Sequence, residues 1–159
     1  MSTSHALLVS LSICFVAAAF EGLCAGKGVR SYFAQLRFPR YSAPLWVWYG
    51  IGGVYYAVFF FIIFELLRID KQSRLRTGTL ALIIFMMVAN ALWNYLFFRA
   101  KKLFASFVSG SLAPITDLAL FICLIKLDTT AAWALVPYLI YRIYAVWWGY
   151  GLWKMNRET

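Results

Sequence analysis

Apolar positions in this chain neither alternate nor recur on a single face. They run on, as in Phe59-Phe60-Phe61-Ile62-Ile63-Phe64, and one helical bilayer crossing needs about 20 such residues. Stretches of that length occur at 6–26, 44–67, 79–98, 103–125 and 131–153. A transmembrane β-barrel would show alternating hydrophobicity, so the pattern predicts an all-α integral membrane bundle of five transmembrane helices, a single domain over 1–159. The first stretch, with Ala17-Ala18-Ala19, has the apolar character of a secretory signal. No Lys or Arg precedes it, so a retained helix is the better reading.

The connections are unequal. Residues 27–43 hold Arg30, Tyr32, Phe33, Leu36, Phe38, Pro39 and Tyr41, too aromatic for a solvated linker, and this segment is expected to lie back on the bundle at the interface. Residues 99–102 and 126–130 are short enough to make the third, fourth and fifth helices antiparallel neighbours. Pro44 suits a helix start, whereas Pro114 and Pro137 fall inside predicted helices, where each kinks the helix or frees a carbonyl. Small residues at helical spacing, Ala18, Gly22 and Gly26 in the first helix and Ala105, Ser109 and Ala113 in the fourth, predict close helix contacts within the chain ahead of a seam between copies.

Composition agrees: 64% hydrophobic and 13% charged residues, against about 45–50% and about 25% in soluble domains, exclude a soluble enzyme. The net charge of +9 is scattered through short loops, so the partner it implies is the lipid bilayer and not nucleic acid. One membrane face carries Arg68, Lys71, Arg74, Arg76 and Lys126. The other carries Lys27, Arg30, Arg37, Arg40, Arg99, Lys101, Lys102, Lys154 and Arg157, which predicts the N-terminus outside and the C-terminus in the cytoplasm. Cys14, Cys24 and Cys123 lie within spans, no CxxC occurs and His5 is the single histidine, so neither redox nor metal chemistry is indicated.

Aromatic residues do cluster on helix faces. Tyr138, Tyr141, Ala145 and Trp148 follow at intervals of three, four and three, and Trp48, Ile51, Gly52 and Tyr55 and then Asn90, Trp93, Asn94 and Phe97 repeat the arrangement. Such faces either pack together or wall a cavity for a flat hydrophobic ligand. Arg142 sits at mid-span, where an isolated charge costs at least about 2.5–3.5 kcal/mol. Asp117 lies at a depth within about 4.5 Å of it, and the two are expected to pair, as a structural staple or a ligand anchor. Asn90 and Asn94 are either glue between helices or part of a pocket, and Glu21 and Glu65, nearer helix ends, are expected to snorkel or to meet Lys27 and Arg68. Val146, Tyr150 and Lys154 fit a pattern proposed for sterol contact, and equally an interfacial Tyr with a snorkelling Lys. No catalytic triad, close carboxylate pair or phosphate loop is present.

Three segments carry a family resemblance. These are Gly28-Val29-Arg30 with Tyr32, Leu36, Pro39, Tyr41, Ala43-Pro44 and Trp46-Val47; Asn90, Trp93, Phe97-Phe98 and Lys101-Lys102; and Val136-Pro137-Tyr138-Leu139 through Asn156. In order and spacing they resemble the TspO family, the translocator or tryptophan-rich sensory proteins, over nearly the whole chain. The resemblance implies a five-helix bundle whose pocket, with loop 27–43 as its lid, binds tetrapyrroles such as protoporphyrin or haem and, in some members, sterols. No covalently bound cofactor is implied, and a homodimer is. The pocket candidates are then Tyr41, Trp48, Ile51, Asn90, Trp93, Tyr138, Tyr141, Arg142, Ala145 and Trp148. Some bacterial relatives degrade porphyrin under light by means of pocket tryptophans. Two of those positions are Ser31 and Tyr141 here, which weighs against an enzyme and in favour of a sensor or translocator. A light-dependent porphyrin-degrading enzyme and a structural, partner-binding membrane protein are the alternatives.

Overall fold

The computed structural model describes residues 2–69 and 73–157, and every regular element among them is helical. Long helices α1 (Thr3–Ala25), α3 (Leu45–Arg68), α4 (Arg74–Asn94), α5 (Leu103–Leu127) and α6 (Thr129–Asn156) correspond to the five stretches, and a short α2 (Val29–Gln35) lies within the first connection. Four of them, α1, α3, α4 with its extension to Arg99, and α5, are long and apolar enough to cross a membrane. At 28 residues α6 is the longest, yet it falls below that hydropathy because Tyr, Trp and Arg142 interrupt its aliphatic residues. Lys71, counted above on one membrane face, lies outside the described residues.

Helix ends follow local chemistry. Ser73 caps α4 by accepting from Arg76 N at 3.1 Å, which starts the helix five residues before the apolar stretch does. Asp128 caps α6 through Ala131 N at 2.9 Å, and each cap satisfies an otherwise orphan N–H. Pro44 stands one position before the first helical residue of α3. At the far end of α4 the chain widens into a π-helical turn, Tyr95–Arg99, closed by Ala100 N to Tyr95 O at 2.8 Å; Lys101 then takes a left-handed φ of 55° and ends it. A π turn changes which side chains face inward, and such turns recur at functional sites.

The helices form a closed ring. α1 packs between α3 and α4, α5 between α4 and α6, and α6 returns to α3. The short connections do make α4, α5 and α6 successive neighbours, while α1 inserts between α3 and α4. Large apolar side chains such as Phe15, Leu23 and Ile143 point outward, as a lipid-facing surface requires.

Inside the ring the two ends differ. At the end holding the starts of α1, α4 and α6, Phe59, Ile62, Ile63, Leu66, Ile83, Met87, Leu120, Leu124 and Leu135 form a solid apolar core, each less than 5% exposed. Toward the other end a smaller aromatic cluster of Tyr32, Phe33, Phe97, Trp148 and Leu152 joins α2 to α6 and the π turn. Between core and cluster the bundle is hollow.

Candidate ligand-binding cavity

The hollow is a cavity of about 370 Å³ between α1, α3, α4, the π turn and α6, within the range of about 300–1,000 Å³ typical of small-molecule sites. Aromatic rings make most of its wall. Trp48 from α3 meets Trp148 from α6 at a centroid distance of 4.4 Å and Tyr141 at 6.2 Å; Tyr138 meets Tyr55 at 5.5 Å; Trp93 stacks on Phe97 at 5.0 Å and 14°, and Phe97 reaches Trp148 at 5.8 Å. Buried indoles need a partner for their N–H. Trp48 Nε1 donates to Ala43 O at 3.0 Å and Trp148 Nε1 to Ser42 Oγ at 2.7 Å. Both donors are thereby taken up by the first connection.

That connection is fastened to α6 along its length. Tyr144 Oη donates to Tyr41 O and accepts from Ala43 N, both at 3.0 Å, and the Asn156 amide bonds Arg37 through N at 3.0 Å and O at 2.8 Å. Gly151 permits the fit, since a Cβ there would lie 3.1 Å from Pro39 Cβ. Within α2, Tyr32 and Phe33 point into the aromatic cluster, and burial pushes the Tyr32 phenol above its usual range. Residues 27–43 thus lie back on the bundle, folded as a turn of helix followed by a strap.

Polar groups enter the cavity at two places. On one side Arg142 Nε donates to Asp117 Oδ2 at 2.7 Å, and its guanidinium lies 5.3 Å above the Tyr138 ring. On the other, Glu21 from α1 collects three donors: Tyr56 Oη at 2.5 Å and Asn90 Nδ2 at 2.9 Å on Oε2, and Asn94 Nδ2 at 2.9 Å on Oε1. Glu21 therefore does not snorkel or meet Lys27. It ties α1 to α3 and α4. Glu65, by contrast, does meet Arg68, at 3.3 Å. A second cavity of about 170 Å³ lies between α4 and α5, sharing Asn90, Trp93, Tyr138 and Arg142 as a common wall. Among the described residues, Asp117 Oδ1 and Tyr55 Oη beside it have no hydrogen-bond partner.

Of the pocket candidates, Trp48, Ile51, Asn90, Trp93, Tyr138, Tyr141, Arg142 and Trp148 line the larger cavity. Two do not. Tyr41 is 71% exposed and serves the strap through its backbone, and Ala145 is half-buried away from the lining. Sequence reasoning passed over Glu21 and Tyr56. A signal existed for Glu21, which lies about as far from the end of its stretch as Asn94 does from the end of its own, on the same membrane face. Ala18, Gly22 and Gly26 line the cavity too; nothing lies within 4 Å of where a Gly22 Cβ would stand, so Gly22 leaves space, whereas a Cβ at Gly26 would stand 4.0 Å from Arg99 Cδ. In the fourth helix the close approach is made by Gly110, where a Cβ would lie 3.3 Å from Trp93 Nε1, and Ser109 and Ala113 line the smaller cavity. Val146, Tyr150 and Lys154 lie off both cavities; Tyr150 packs with Phe107 and Trp153, and Lys154 Nζ stands 6.0 Å from the Tyr150 ring.

The aromatic cavity thus lies inside a ring of long apolar helices and is strapped by the first connection. A model of the TspO/MBR family matches residues 10–154. The chain belongs to the TspO/MBR family. Comparison with curated proteins finds no match. Membership together with four apolar helices makes this TspO/MBR protein an integral membrane protein, and the family points to ligand binding or sensing within the membrane.

Proposed function

We propose that this TspO/MBR protein is a membrane-embedded sensor or translocator that binds a flat, largely apolar ring ligand of the tetrapyrrole class, such as protoporphyrin or haem, in the cavity between α1, α3, α4 and α6. The observation that carries the reading is the convergence of Trp48, Trp93, Tyr138, Tyr141 and Trp148 from three separate helices on one hollow. Rings gain most by offset stacking and area burial, and a planar ligand offers both. Arg142 supplies a cation for an acidic substituent, since a guanidinium retains donors beyond the Nε that holds Asp117. Sterols form a second ligand class, with Val146, Tyr150 and Lys154 on the outer side of α6 as their contact.

In this reading α6 is a fifth crossing. Its tyrosines and tryptophans lower its hydropathy because they serve the cavity and the interface. Nine basic residues on the cavity end orient that end, with the C-terminus, toward the cytoplasm.

The test is titration of the purified protein in detergent with protoporphyrin, following tryptophan fluorescence. Saturable quenching that weakens when Trp93 and Tyr138 are replaced by Ala supports the reading. No saturable quenching, or quenching indifferent to both substitutions, overturns it.

A further inference from the structure

The two charged groups of the cavity are not equivalent. Arg142 is matched by Asp117 at 2.7 Å. Glu21 is held only by neutral donors, the Tyr56 hydroxyl and the Asn90 and Asn94 amides, and among the described residues no cationic nitrogen forms an ion pair with it. A carboxylate in apolar surroundings is costly when no positive charge lies against it. It also offers about four lone-pair directions. Three are occupied, two of them on Oε2, so Oε1 keeps one acceptor direction. The Asn94 amide cannot change roles easily, because its Nδ2 spends a second hydrogen on Asn90 O at 3.0 Å and so holds its NH2 toward Glu21.

We infer that Glu21 is the recognition point for a positively charged nitrogen of the bound molecule, so that among flat aromatic rings of one size the cavity selects those carrying a protonated amine, amidine or ring nitrogen. The inference rests on the binding reading above and goes beyond it, because aromatic walls alone do not distinguish charge. Stacking and apolar burial hold any flat ring, whereas a charge-assisted hydrogen bond to Glu21 is open only to a donor. Arg142 and Glu21 both line this cavity, whereas Asp117 lines the smaller one, so an acidic substituent of the ring turns to Arg142 and a cationic nitrogen to Glu21. Tyr56, Asn90 and Asn94 are positioning residues: they fix the carboxylate from α3 and α4 and leave its free edge to the ligand.

Three tricyclic probes of nearly equal shape test this in one neutral detergent: 9-aminoacridine, cationic at neutral pH, anthracene, and the anion anthracene-9-carboxylate. Expected is saturable tryptophan quenching with 9-aminoacridine bound about tenfold or more tighter than anthracene. In Glu21→Gln, which keeps an acceptor but loses the charge, that advantage disappears, read as the ratio of 9-aminoacridine to anthracene affinity within the same variant. Equal affinities for cation and neutral ring in the unmodified protein overturn the inference without recourse to any variant, as does a Glu21→Gln effect equal for both. If neither these probes nor protoporphyrin quench saturably, the binding reading itself falls. Saturable binding without charge preference removes only the role given to Glu21.

Discussion

Arg142 and Glu21 pose the same physical problem, a charge inside a membrane bundle, and solve it differently. Arg142 has one ionic partner, and with Asp117 only 1% exposed that pair is deeply enclosed. Removing one member of a buried pair costs about 3–5 kcal/mol, while replacing both by apolar groups is often neutral. Asp117→Asn is therefore expected to lower the unfolding temperature in detergent markedly, and Asp117→Leu combined with Arg142→Met to restore most of the loss. A double variant as unstable as the single one would contradict this. The pair was legible in the sequence because α5 and α6 are joined by a connection so short that depth along each helix can be counted from it. Glu21 was harder to read. Its partners lie 35, 69 and 73 positions away on two other helices, and nearness to a helix end supplied a ready alternative.

Elements matter here through the space they leave. Gly22 on α1 and Gly52 on α3 both line the cavity, and a Cβ at either would meet nothing within 4 Å. Leucine at either site is expected to fill the hollow and abolish protoporphyrin quenching. Stability should hold or rise, since Gly in a helix interior costs about 0.8–1.0 kcal/mol relative to Ala; a thermal shift assay beside the quenching titration checks both. Loss of folding would show that the space is not free. The strap makes its own prediction. Tyr144→Phe removes the hydroxyl that both bonds Tyr41 O and receives Ala43 N. Leaving those groups unpaired costs about 1–3 kcal/mol, so limited proteolysis within 37–43 is expected to accelerate by about tenfold or more while the helices stay intact. Run length revealed the long helices, but not α2 or the π turn. Those depend on tertiary contacts, Tyr32 against Phe97 and Phe97 against Trp148, which no local pattern encodes.

For the molecule as a whole, α6 and the basic end decide its placement in the bilayer. If α6 crosses and the basic end is cytoplasmic, a cysteine at Thr129 and one at Arg157 are expected to react with an impermeant maleimide from opposite sides of sealed vesicles, Arg157→Cys from the cytoplasmic side. Labelling of both from one side would reduce the crossings to four. The ring order, with α1 between α3 and α4, was not legible, because the aromatic first connection is too long to force any particular neighbour.

Cohesion and recognition occupy different ends of the same ring. The tight apolar interior around Phe59 and Leu124 does not include Trp48, Trp93 or Tyr141, so these cavity rings can be exchanged without opening it. Preference for one guest over another can then drift by exchanging a few rings or a single acid, and two proteins of this architecture can share a scaffold while serving chemically unrelated cargo.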